Sequence, residues 1–174
     1  MIISVEELKT LIDCKNWTDE RIARKLKAIE QTIRQYTNNT FQVRECRRAA
    51  DIVGSLLISV DDMPFKVGDT VEISESGLNA GLFTVASVSD NSITVEEGID
   101  DENDVLITKV KYPEDVIDCA VNLMEWEINH RAKVGIKSET LSRHSVTYED
   151  SNSMFNGYPV GILSSVKLYR KARF

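Results

Sequence analysis

The 174-residue chain has two histidines, and neither His130 nor His144 has a partner at metal-ligand spacing. His130 is expected at the surface or end of a helix. The three cysteines, Cys14, Cys46 and Cys119, are far apart and odd in number, so neither a disulfide framework nor a CxxC site fits. They read as small buried hydrophobes in a reducing compartment. No glycine-rich loop is set to cradle a phosphate, because Gly54, Gly68, Gly77 and Gly81 fall at expected turns. No apolar run approaches the ~20 residues of a bilayer-spanning helix, so no membrane association is expected. The opening stretch MIISVEELKTLID turns acidic at once and has no basic n-region, which does not fit a signal peptide. With no base–nucleophile pair in view, a hydrolase is disfavoured, and neither an enzyme nor a cofactor is expected.

Positive charge is scarce in one region only. Asp51 to Thr108 holds 13 acidic residues and one base, Lys66, for a charge of −12. The remainder holds 15 acidic and 20 basic residues, for +5. The total of −7 therefore conceals a strongly acidic piece on a mildly basic body.

What is present is periodic. Ser4 and Glu7 have the spacing of a capping box, opening a short helix with Val5, Leu8, Leu11 and Ile12 on one face. Thr18 caps a second helix, with Asp19 and Glu20 at the positive end of its dipole. Ile22, Leu26, Ile29, Ile33 and Tyr36 form its apolar stripe, and Thr37-Asn38-Asn39-Thr40 ends it.

From Phe41 to Lys111 the period becomes two. Candidate strands are 42–47, 52–60, 70–74, 82–88, 92–96 and 105–111, with Val71/Ile73, Phe83/Val85 and Ile93/Val95 facing inward. Asp90-Asn91 suits a tight hairpin with positive φ, and Leu78 to Gly81 reads as another turn. Asp100 to Asp104 invites a calcium hypothesis, but it lacks the glycine and terminal glutamate of an EF-hand loop and reads as a solvated acidic loop. Pro113, Glu114 and Asp115 open a third helix with a broad apolar face that includes Cys119, and Lys133-Val134-Gly135 stops it. A polar segment, 136–158, follows, with a possible strand at His144–Tyr148. Pro159 starts a last helix with Ile162, Leu163, Val166 and Tyr169 inward, and the chain closes in a basic tail.

The expected class is α+β: a small helical-bundle domain, 1–43 plus 112–174, interrupted by an inserted antiparallel β-barrel or sandwich-like domain, 44–111. Small β modules often bind nucleic acid, but this one sets Lys66 alone against 13 carboxylates and should repel phosphates. Phe65 and Phe83 read as core rather than stacking platforms.

The flanks carry a resemblance. SVEELKTLID, the helix closing with IRQYTNNTF, YPEDVIDCAVNLMEWE, GIKSETLSRHSVTYED and YPVGILSSVKLYRK occur in that order. Together they resemble the head–tail connector family of tailed bacteriophages and prophages, also called adaptor or head-completion proteins. The insert is the departure, because compact members of that family join the two helices by a shorter connection.

The resemblance implies a non-enzymatic virion protein of the head–tail junction, made in the bacterial host cytoplasm. It implies a homo-oligomeric ring of about twelve copies built from heterologous contacts. The ring would sit beneath the portal protein, extend the channel through which DNA passes without sequence-specific binding, and dock a downstream neck or tail-completion protein. Assembly contacts are expected at Ser138, Glu139, Leu141, Arg143, Ser145, Val146, Thr147 and Tyr148, and in the tail at Lys167, Arg170, Lys171 and Arg173. The alternative from another class is a nucleic-acid-binding protein using an OB- or SH3-like barrel.

Overall fold

The computed structural model describes residues 1–130, 138–141, 144–147 and 154–172, with side chains described outside 131–153. The chain is α+β and divides into two compact units, one of Met1 with Thr40–Tyr112 and one of Ile2–Asn39 with Pro113–Phe174. The β unit thus begins before the expected residue 44 and ends at Tyr112, because its first strand already starts at Gln42.

The β unit is a closed six-stranded antiparallel barrel. Its strands are β1 (Gln42–Val53), β2 (Leu56–Ile58), β3 (Thr70–Ser74), β4 (Gly81–Val88), β5 (Ser92–Val95) and β6 (Glu102–Val110). They are ordered β1-β2-β5-β4-β3-β6, and β6 returns to pair with β1. Closure leaves no open sheet edge. Alternation fills the interior with Ile52, Leu57, Val71, Ile73, Val85, Ile93, Val105 and Ile107, and Met63 and Phe65 join them from the β2–β3 connection. Phe83 packs against this core as a partly buried neighbour.

Two sequence expectations change here. The strand expected over 52–60 is broken: Gly54 and Ser55 both have positive φ, 56° and 73°, and turn β1 into β2 with Val53 opposite Leu56. A two-residue loop of this kind matches the twist of the paired strands. Conversely, β4 and β5 pair as expected, with Val88 opposite Ile93, yet Asp90 and Asn91 are absent from the positive-φ set. The turn is closed instead by the Ser89 N–H donating to Ser92 O at 2.8 Å.

The helical unit contains α1 (Val5–Leu11), α2 (Asp19–Thr37), α3 (Glu114–His130), α4 (Val160–Leu163) and a 3-10 helix (Ser164–Tyr169). Ser4 Oγ accepts the Glu7 N–H and Thr18 Oγ1 accepts the Arg21 N–H, each satisfying an otherwise free helical donor. Ile22, Leu26, Ile29 and Ile33 are fully buried, as the stripe requires, whereas Tyr36 is half-buried. On α3 the broad face buries Val116, Cys119, Ala120, Leu123 and Met124. Burial raises the Cys119 thiol pKa, and its Sγ donates to Ile162 O, consistent with a packing role. Glu127, two turns further along α3, is also buried and pairs with Lys25 of α2 at 2.7 Å.

The last helix is split into an α and a 3-10 portion, with Leu163 and Val166 fully buried. The polar segment contains antiparallel pairs: β7 (Ser138–Leu141) with β8 (His144–Thr147), and β9 (Met154–Phe155) with β10 (Tyr158–Pro159). The expected helix stop at Lys133-Val134-Gly135 lies outside the described residues. Among the described residues no helix is long and apolar enough to cross a membrane.

Candidate assembly surfaces

Three features carry the residues singled out by the sequence. The first is the β7–β8 pair. Ser138 faces Thr147, Glu139 faces Val146, Thr140 faces Ser145 and Leu141 faces His144, a hairpin register. Ser138, Glu139 and Leu141 thus lie on one strand, and Ser145, Val146 and Thr147 on the other. Arg143 and Tyr148 lie outside the described residues. The two strands form a sheet of their own, joined to no other described strand. The sequence suggested only the second strand, because SETL lacks the β-branched enrichment of an obvious strand.

The second is the C-terminal segment. A frayed end would be the ordinary state of such a tail. Here the Lys171 N–H donates to Thr37 O at 2.8 Å, and Arg170 N–H to Lys167 O at 3.2 Å. Asn38, left-handed at the end of α2, donates through Nδ2 to Lys171 O and Ala172 O, and Asn39 Nδ2 donates to Tyr169 O. The Arg170 guanidinium lies over the Tyr36 ring, 5.5 Å from its centroid. Desolvation, then the hydrogen bond to Asp115, raises the Tyr169 hydroxyl pKa. Lys167, Arg170 and Lys171 are therefore held on an ordered backbone with exposed side chains. Arg173 lies outside the described residues. Asn38 and Asn39 were legible as helix terminators; that they also anchor the tail, 130 to 134 positions away, was not.

The third is the barrel's charge. Across residues 40–112 the bases are Arg44, Arg47, Arg48, Lys66, Lys109 and Lys111, six against fourteen carboxylates, a formal −8. The expectation of a single base in the β module is thus corrected, because β1, β6 and Lys111 just after it bring five more into the unit. Several are engaged locally. Arg47 donates to Thr108 Oγ1 at 3.1 Å and to Gln42 Oε1 at 3.0 Å, Arg48 to Asp62 O at 2.9 Å, and Lys109 pairs with Asp69 at 2.5 Å.

The acidic run 100–104 is also more structured than a solvated loop. Glu102 begins β6, and its carboxylate accepts from Ser76 Oγ, Gly77 N–H, Leu78 N–H and Asn79 Nδ2. Asp101 accepts the Gly54 N–H, and Asp51 the Asp104 N–H. Among the described residues no group of three histidine, cysteine or acidic side chains is placed to hold a metal ion.

A shallow groove of about 510 Å³ in the helical unit is lined in part by Asn122, Trp126, His130, Ile162 and Ser165. His130 ends α3 and stacks on Trp126 at 6.4 Å. Ser165 Oγ donates to Ile162 O. No protein-family model and no curated protein matches the chain.

Proposed function

We propose that this chain is a structural head–tail connector subunit that assembles as a ring beneath a phage portal and has no catalytic step. The observation that carries the reading is the β7–β8 hairpin, a two-stranded sheet separate from the barrel. An isolated hairpin is marginal in water, and its outer edges present backbone donors and acceptors that another strand can satisfy. Adding a neighbour's strand is a direct way to stabilise it and to join copies around a ring. The ordered basic tail supports the same reading by supplying a fixed charged surface for docking. The acidic balance of the barrel suits a part that lies near DNA without holding it. The test is to mix the purified protein with its portal and look for an added ring by electron microscopy.

A second reading has one observation in its favour, the bases that β1 and β6 contribute to the barrel. A barrel binding DNA through Arg44 and Lys111 would show affinity falling steeply with salt. Titration of duplex and single-stranded DNA at two ionic strengths separates the readings; tight, salt-sensitive binding would favour the nucleic-acid one.

A further inference from the structure

The barrel has an apolar flank. Val53 and Leu56 face each other across the β1–β2 turn, Ile58 follows on the same face of β2, and Val60 is 100% exposed just beyond it. Alternation accounts for the geometry: Ile52 and Leu57 fill the core, so Val53, Leu56 and Ile58 point outward. Acidic residues rim this flank. Asp51 lies opposite Ile58, Asp101 holds the Gly54 N–H at the turn, and Asp61 and Asp62 follow Val60 directly. Arg48 is the nearby base, directed to Asp62 O. A flank of this composition favours an occupant with an apolar centre and positive surroundings.

The same chain carries such a segment. Leu168 is 93% exposed, between the exposed Lys167 and the exposed bases Arg170 and Lys171. Its backbone is already fixed by Thr37, Asn38 and Asn39, so little ordering entropy remains to be lost on docking.

We propose that the C-terminal segment of one copy docks on the Val53–Val60 flank of a second copy's barrel, with Leu168 against the apolar residues and Lys167 and Lys171 against Asp61 and Asp62. The contact is heterologous, tail to barrel, and can repeat from copy to copy. It rests on the connector reading and gives the inserted barrel a role within it: receiving a neighbour.

Charge swapping tests it, using side chains remote from the folding contacts described above. The full-length variants K167E/K171E and D61K/D62K are each compared with wild type by sedimentation velocity, alone and with portal, after far-UV circular dichroism verifies folding. Each is expected to weaken self-association by at least about tenfold, and L168D and V60D to do the same. Combining the four charge changes in one chain restores association. So does mixing the two double variants, because in an alternating ring each reversed tail meets a reversed barrel and each native tail a native barrel.

If wild type assembles and both double variants assemble equally well, the tail–barrel contact is overturned and the ring reading survives. Failure of the combined variant and of the mixture also overturns it, leaving the two surfaces to other partners such as the portal. A wild-type chain that stays monomeric alone and with portal overturns both proposals.

Discussion

The Glu102 carboxylate accepts the Gly77 backbone N–H at 2.6 Å, fastening the β3–β4 connection to the first residue of β6. Ser76 and Asn79 donate to the same carboxylate, and these bonds favour its charged form, holding its pKa down to about 2 from 4.5. A depressed folded-state pKa means stabilisation that is present above about 4.5 and lost as pH falls through about 2. The Glu102→Gln variant should therefore be less stable than wild type at neutral pH, with the gap narrowing between pH 4.5 and pH 2. Urea unfolding across that range, followed by circular dichroism, checks it; a gap that stays constant would show that Glu102 is not the titrating group.

The β1–β2 turn makes an opposite pair of predictions. Ser55 holds φ of 73° without being glycine, a conformation that costs an L-residue roughly 1–2 kcal/mol. Ser55→Gly should thus stabilise the barrel by about 0.5–1 kcal/mol once the added freedom of the unfolded chain is deducted. Gly54→Val, also at positive φ, should destabilise it. Thermal unfolding of both variants reads the two signs, and equal shifts would contradict the turn geometry.

In the helical unit, Glu127 is 3% exposed while its partner Lys25 reaches the surface. Removing the lysine takes a cation from a buried carboxylate, whereas removing the carboxylate leaves an amine that can turn toward water. Lys25→Met should cost roughly 3 kcal/mol, and Glu127→Gln less. Chemical denaturation ranks them; the reverse ranking would mean that other groups around Glu127 dominate its stabilisation.

The hairpin makes a prediction about exchange. Backbone amides at 138–141 and 144–147 should gain protection when the protein assembles, because an edge paired to a neighbour no longer opens independently. Hydrogen exchange read by mass spectrometry before and after portal addition tests this. Unchanged protection in a proven ring would move the joining contact elsewhere.

Legibility in the sequence followed the range of the interaction responsible. The α2 stripe, the caps at Ser4 and Thr18, and the inward sets of β3, β4 and β5 were readable because local periodicity and short-range hydrogen bonds determine them. The Gly54-Ser55 turn was obscured by the apolar residues on either side of it, Ile52-Val53 and Leu56 to Ile58, which read together as one strand. Lys109, Arg47 and Arg48 joined the barrel through strand pairing between residues about 60 apart, which composition by segment does not register. At the candidate surfaces, the basic tail was visible as composition, whereas its anchoring by Asn38 and Asn39, and the outward apolar flank, depend on tertiary neighbours.

The most direct measurement is a class-averaged electron micrograph of the full-length protein mixed with its portal. The connector assignment predicts an extra ring coaxial with the portal channel, with inserted barrels repeating around it. A portal left bare at concentrations well above micromolar, while the chain binds DNA in a salt-sensitive manner, would contradict it.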